Sequence, residues 1–265
     1  MGKLSVVLAT FNEEKNIGDC LGSVRQLADE IVVVDGSSTD KTVPLARKYT
    51  QKIIITSNKP MFHINKQMAV DEATGSWILQ LDADERVSKE LAAEILEVVR
   101  KGSDYDAFWI PRKNLFLGKF LAKGGQYPDP IIRLFKKGKA HFPCKTVHEQ
   151  MEVEGRVGWL KNDLVHLADP SFSRYLLRFN RYTTELATDL EKENLGTNLL
   201  AALNYLLIKP SFWFLLTFIR HKGFMDGFPG FVFSFFSSLR FPVAYIKYWE
   251  KKHNKYLDDL TSDWQ

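Results

Sequence analysis

The sequence predicts an α/β protein with a mostly parallel sheet and helices on both faces, followed by an aromatic-rich helical C-terminal region. Two patterns carry this. Short Val- and Ile-rich runs at residues 3–9, 30–35, 52–56 and 77–81 alternate with polar, helix-compatible stretches at 14–27, 40–49 and 63–73. Runs of that length read as strands, and strand-helix alternation at this spacing gives parallel β-α-β units. In addition, 21 of the 34 aromatic residues lie beyond position 170, which divides the chain into 1–170 and 171–265.

Taken in order, Asn12 and Asp40 are placed to cap the first two helices. After Arg100 the alternation degrades. Residues 106–111, 131–136 and 151–159 are expected strands, separated by loops holding Gly124, Gly125, Pro128, Pro130 and Pro143. From Ser171 the pattern is helical.

A chain of 265 residues can bury a sizeable core, and 26% charged with 45% hydrophobic residues excludes wholesale disorder. A net charge of +4 is too weak to argue for nucleic acid. Two cysteines, Cys20 and Cys144, fit a reducing compartment and exclude a cysteine-built zinc site. The apolar residues 4–9 run at once into Asn12, Glu13 and Glu14, so no secretory signal is expected and the chain reads as cytoplasmic.

In open α/β sheets the ligand crevice lies at the carboxyl ends of the strands. Three clusters occupy such ends: Thr10-Phe-Asn12-Glu-Glu14, Asp35-Gly-Ser-Ser-Thr-Asp40 and Asp82-Ala-Asp84-Glu85. The pair Asp104 and Asp106 precedes its apolar run and reads as a solvated strand start. Neither G-x-G-x-x-G nor G-x-x-x-x-G-K-[ST] occurs, so the usual glycine-rich phosphate cradles are missing. Asp82 and Asp84 suit Mg2+ or Mn2+, which binds through one or two carboxylates and leaves positions for water and a diphosphate.

The segments V-V-L-A-T-F-N-E-E, V-V-V-D-G-S-S-T-D and A-T-G-S-W-I-L-Q-L-D-A-D-E resemble family 2 glycosyltransferases of the GT-A fold, strongly over about residues 3–90. The later Tyr127-Pro-Asp-Pro-Ile-Ile-Arg-Leu-Phe, Val147-His-Glu149 and Gly223-Phe-Met-Asp-Gly227 are similar to the subgroup that includes lipopolysaccharide core glucosyltransferases. The resemblance implies a nucleotide-sugar donor, UDP-linked, and inversion at the anomeric carbon. It divides residues 1–170 into a donor half, about 1–100, and an acceptor half, about 101–170. By the same resemblance Thr10, Glu14 and Asp35 contact the nucleoside, with Asn12 beside them among the substrate-binding residues. Lys66 approaches the diphosphate, Asp82 the ribose, and Asp84 the metal.

Glu149 stands where the family carries its catalytic acidic residue and is the first candidate for general base. Asp129, between two prolines, is the second. His148-Glu149 lacks the second histidine of a zinc-protease motif. His166 is the positional match for a further metal ligand, with a satisfied core histidine as the alternative. Lys66 reads alternatively as a solvated helical lysine. Arg133 reads as a phosphate or acceptor contact, or equally as an exposed strand residue.

Residues 196–249 contain one acid, Asp226, against Lys209, Arg220, Lys222, Arg240 and Lys247. Phe228, Phe231, Phe235, Leu239 and Ile246 recur near helical spacing, with Ser234 and Ser238 off the stripe. Pro210, Pro229 and Pro242 interrupt the apolar runs, so a peripheral position at the inner face of the cytoplasmic membrane, on anionic lipid, is expected over a buried subdomain or spans. The expected activity is sugar transfer to a lipid-linked glycan such as lipopolysaccharide core. Two alternatives stand beside it: transfer to a polyisoprenyl phosphate, which needs no protein base, and a non-catalytic nucleotide-sugar-binding or scaffold protein.

Overall fold

A computed structural model of the chain describes residues 2–59, 61–144 and 150–253. The chain forms two compact units, Met1–Lys113 with Pro128–Leu167, and Asn114–Tyr127 with Ala168–Gln265.

In the first unit, β1 (Leu4–Thr10), α1 (Ile17–Val24), β2 (Glu30–Asp35), α2 (Thr42–Ala46), β3 (Ile53–Ile55), α3 (Phe62–Asp71) and β4 (Trp77–Leu81) follow the alternation of the sequence. β1 pairs in parallel with both β2 and β4, and β2 with β3. The central residues of β1, β2 and β4 are mostly apolar because both faces there are covered. Val6, Leu8, Leu79 and Leu81 share one core with Cys20 and Leu21 of α1 and with Leu91 and Ile95 of α4 (Lys89–Lys101). Val7, Val32, Val34 and Ile78 share the other with Ala69 and Val70 of α3. Alternate residues of one strand therefore feed two helical layers.

Parallel pairing is confined mainly to this half. The sheet continues past β4 through β8 (Asp129–Lys136), β6 (Ala107–Phe116), β12 (Leu164–Asp169) and β5 (Glu85–Val87). β8 runs antiparallel to both β4 and β6, and β12 antiparallel to β5. The run 151–159 divides into β10 (Glu152–Val153), paired with β9 (Ala140–His141), and β11 (Val157–Trp159), paired with β6. Gly155 turns the chain between them at φ +134°, where a Cβ would lie 2.2 Å from the Asp106 carboxylate. Asp106 is accordingly more than a solvated strand start: it accepts from the Arg156 N–H and pairs with Lys136 at 3.1 Å. Asp104 is exposed.

Asn12 does not cap α1, which begins at Ile17. It sits at φ +53°, a conformation asparagine tolerates, and spends its side chain on the neighbouring loop. Asp40 does serve the start of α2, accepting from Thr42 N at 2.9 Å.

In the second unit, Leu115 and Phe116 pair with β7 (Lys119–Phe120). α5 (Phe172–Lys192) and α9 (Arg240–His253) pack on one another around Ala187, Leu190, Ala244 and Tyr248. A helix runs unbroken from Leu199 to Arg220 through Pro210. The sequence alone predicts a break at that proline. The ring needs no amide partner, and π-helical turns at Asn204–Ile208 and Leu215–Arg220 absorb the mismatch in register. Pro229 sits in the first turn of α8 (Phe228–Ser238), and Pro242 is the third residue of α9. Asp226 anchors the β7 loop, accepting from Lys123 N at 2.7 Å.

Glu30 ties three segments at the amino-terminal end of the parallel strands. Its carboxylate accepts from the Ser5 hydroxyl, from Thr74 N at 2.8 Å and from Lys52 Nζ at 2.9 Å. Burial opposes its ionisation, but these bonds prevail and hold its pKa at about 2. A carboxylate depressed in the folded state stabilises above its unfolded pKa and loses that contribution as pH falls through the folded value. Glu30→Gln is therefore expected to lower stability by about 1–3 kcal/mol at pH 7. Urea midpoints of the two proteins should converge as the pH approaches 2.

Candidate functional site

Register alone brings the three polar clusters to one edge. Thr10 lies beside Asp35, and Leu8 beside Leu81, so the segments that follow β1, β2 and β4 emerge together.

The first two clusters are stitched to each other. Asp35 is fully buried, and its carboxylate accepts from Thr10 Oγ1 at 3.0 Å, Ser38 N at 2.7 Å and Ser38 Oγ at 2.6 Å. Asn12 donates its N–H to Ser38 Oγ at 2.8 Å and accepts from Thr39 N at 2.9 Å. Glu14 donates its N–H to Asp40 and accepts from Lys41 N at 3.1 Å. Thr10, Asn12, Glu14 and Asp35 thus form one rigid double loop, with Asp35 inside it.

The third cluster is built on buried charge. Glu85, fully buried, accepts from the Asp82 N–H at 2.9 Å and closes the Asp82–Glu85 turn. Arg133, 2% exposed on β8, places Nη2 2.5 Å from Asp82 Oδ2 and 2.8 Å from Glu85 Oε1, and bonds Gln80 through Nη1. Lys66 from α3 reaches the other Asp82 oxygen at 2.5 Å while lying over the Phe62 ring. The solvated lysine and the exposed arginine are both excluded. Burial works against an ionised Asp82, but Arg133 and Lys66 hold its carboxyl well below the usual carboxylate range. The same carboxylates hold Arg133 protonated against its own burial.

Asp129 starts β8 rather than sitting in a free turn, and pairs with Arg112 at 2.6 Å; Arg112 in turn lies 3.7 Å from Glu85. His166, on β12, is brought opposite Glu85 by strand pairing, and its Nε2 lies 3.6 Å from Asp84 Oδ2. Burial disfavours an ionised Asp84, yet His166 lowers its pKa overall. A cavity of about 210 Å3 opens on this edge, lined by Lys66, Asp82, Arg133, Phe62, Phe142 and Gln150. Glu149, the first candidate for base, lies outside the described residues, as does His148.

A divalent cation fits part of this set. Ligand atoms ~2.0–2.2 Å from one ion stand ~3–4 Å apart, so Asp84 and His166 can share it. Asp82 is turned to its two cations. Among the described residues no three acidic, histidine or cysteine side chains converge, so the remaining positions would go to water and phosphate oxygens, as Mg2+ and Mn2+ sites favour. The buried Nε atoms of Arg112 and Arg133 lack partners among the described residues, leaving donor capacity beside Asp82.

Sequence reading gave no role to Gln80, Arg112 or Glu85. Gln80 carried a signal, as the one polar side chain in a fully buried strand, and Glu85 another, next to the paired aspartates. Arg112 carried none.

Residues 5–148 match the family described as glycosyl transferase family 2. An uncharacterized glycosyltransferase of Rickettsia typhi is 30% identical over 88% of this chain and 82% of its own length. The lipopolysaccharide core biosynthesis glycosyltransferase LpsC of Rhizobium meliloti is 26% identical over 89% of this chain and 91% of its own. A crystal structure of S. aureus TarS 1–349 in complex with UDP aligns with 97% of this chain and 93% of that one, at 15% identity and a TM-score of 0.49.

Removing one partner of a buried ion pair strands the other. Arg133→Met is expected to cost about 3–5 kcal/mol in urea unfolding, and adding Glu85→Gln to that variant should recover part of the loss. Additive destabilisation would mean that the two charges are not coupled.

Proposed function

The chain belongs to glycosyl transferase family 2, whose GT-A arrangement its α/β sheet follows, and from that premise we propose an inverting transferase that moves a sugar from a UDP-sugar to a hydroxyl of a lipid-linked glycan. The observation that carries this reading is the meeting of Lys66, Arg133, Asp82, Asp84 and His166 at the carboxyl edge of the parallel strands. Lipopolysaccharide core as acceptor is supported by the name of the Rhizobium meliloti relative.

In the reaction the acceptor oxygen attacks the anomeric carbon from the face opposite the leaving group. The new C–O bond forms as the bond to the β-phosphate oxygen breaks, and the electron pair leaves with the nucleoside diphosphate. The acceptor proton passes to a carboxylate, for which Glu149 is the first choice and Asp129, held by Arg112, the second. The double loop of Thr10, Asn12, Glu14 and Asp35 shapes the nucleoside end. Lys66 and Arg133 are positioned to meet phosphate charge, Lys66 by exchanging Asp82 for a diphosphate oxygen. Mg2+ or Mn2+ held by Asp84 and His166 would supply further charge stabilisation on the leaving diphosphate.

Position on a membrane surface is supported by the second unit. The helix Leu199–Arg220 is apolar and only 11% of its most apolar window is buried. In α8, Val232, Phe233 and Phe236 pack inward with the buried Ser234, Ser237 and Ser238, while Phe228, Phe231 and Phe235 are exposed. Cations near an anionic surface and an apolar face in the headgroup region describe an interfacial unit.

Glu149→Gln is expected to lower turnover roughly 10²-fold or more with UDP-sugar affinity preserved. Near-normal turnover in that variant would point to Asp129, or to a polyisoprenyl phosphate acceptor already ionised. Asp84→Ala should abolish transfer and remove the Mn2+-dependent rise in melting temperature with UDP, while Asp104→Ala changes neither; an essential Asp104 would defeat the assignment of the strand-end pair. Alkaline carbonate should release the protein from membranes, whereas a spanning helix would resist it.

A further inference from the structure

The second unit holds a cavity of about 540 Å3 lined by α5, the Leu199–Arg220 helix and α9. Two cations face it, Lys209 and Arg240. Lys209 Nζ lies 3.7 Å from the Tyr205 ring centroid and 6.0 Å from that of Phe241. Arg240 Cζ lies 4.8 Å from the same Phe241 centroid and 3.9 Å from that of Trp213. One aromatic wall therefore carries both charges.

Both side chains are half-buried, and neither pairs with a carboxylate among the described residues. Of the acids lining the cavity, Asp189 is taken by Lys192 at 2.9 Å, and Glu193 is exposed. Burial lowers the Arg240 pKa below its ordinary value. Ring faces offset part of the cost of holding two like charges out of water, but they accept none of the N–H groups. An anion with several oxygens answers both deficits, and phosphate is the form that arginine and lysine bind best together.

The surroundings say what carries that phosphate. Lys209 is the single charge in residues 199–219. Its neighbours Ile208 and Phe212 are 62% and 64% exposed. An anion approaching Lys209 along this helix meets apolar surface on either side, which suits a headgroup with acyl chains attached and not a free ion.

We propose that this cavity seats the phosphate of an anionic membrane lipid, bound between Lys209 and Arg240. The assignment rests on the membrane-surface reading above and gives it a specific site. Sedimentation with phosphatidylcholine vesicles containing about 30% phosphatidylglycerol tests it, with the full chain in four forms. Lys209→Gln/Arg240→Gln should weaken binding about tenfold more than Lys251→Gln/Lys252→Gln, which removes the same charge from α9 outside the cavity. Lys209→Arg/Arg240→Lys, which keeps both charges, should bind within about threefold of the wild type. Equal loss in the two charge-removing pairs would reduce the effect to diffuse attraction and overturn the site, as would loss of binding in the charge-preserving pair. If inorganic phosphate raises the melting temperature of the wild type alone while the Gln pair still binds vesicles normally, the ligand is free phosphate and the lipid assignment falls. A wild-type protein that sediments with no vesicle removes the membrane-surface reading itself, and this site with it.

Discussion

The buried guanidinium of Arg133 is the constraint on which the candidate site depends. Once β8 has inserted beside β4, a charge sits almost wholly out of water at the floor of the cavity, and among the described residues Asp82 and Glu85 are the carboxylates that pair with it. Glu85 then has no freedom, since its other oxygen holds the Asp82 amide. The turn that presents Asp82 and Asp84 is thereby fixed from beneath by an ion pair, not by the loop's own preferences. Pairs of this kind contribute little net stability, because desolvation consumes much of the attraction. What they give is one geometry, since any displacement leaves a charge buried and unmatched.

The same logic explains the state of Asp82. Its two oxygens are shared between Lys66 and Arg133, so the carboxylate keeps two neighbouring cations from repelling one another. A diphosphate brings more negative charge and more acceptor oxygens than one carboxylate. Exchange of Asp82 for phosphate around Lys66 would keep that cation paired before and after donor binding, so it can be preorganised without the cost of being left unpaired. The Lys66 ammonium itself lies 4.9 Å from the Phe62 ring centroid and 5.9 Å from that of Phe142, so both rings help hold the cation beside Asp82.

How much of this the sequence disclosed follows the range of the interactions. β1, β2, β3 and β4 are legible because short strands of a covered sheet are rich in Val, Ile and Leu, a property of a few adjacent residues. The three clusters were readable because strand ends follow from strands. Pairing of β8 with β4 was not, since it joins Trp77 to Lys136 across most of a unit and has no local signature. The local residues therefore leave Arg133 between an exposed and a functional position and mark Arg112 not at all. The unbroken helix through Pro210 departs from expectation for a different reason. A proline costs an α-helix a hydrogen bond and a clash; the π-helical turn ahead of Pro210 gives the ring room, and nothing in the local residues announces such a turn.

The second unit carries the argument about solvent furthest. A helix in water buries its aromatic side and exposes its hydroxyls, because apolar area removed from water is worth roughly 25 cal/mol per Å2. α8 packs Val232, Phe233 and Phe236 inward, yet it also places Ser234 in complete burial and leaves Phe228, Phe231 and Phe235 exposed, and Gly230 lets it approach so closely that a Cβ would lie 2.0 Å from the Gly223 carbonyl oxygen. The neighbouring Leu199–Arg220 helix likewise leaves Leu199, Leu200, Leu207 and Phe212 exposed. Two helices with exposed apolar side chains, cations between their apolar stretches and a single acid across 54 residues, 196–249, are the features that support the membrane-surface position proposed above.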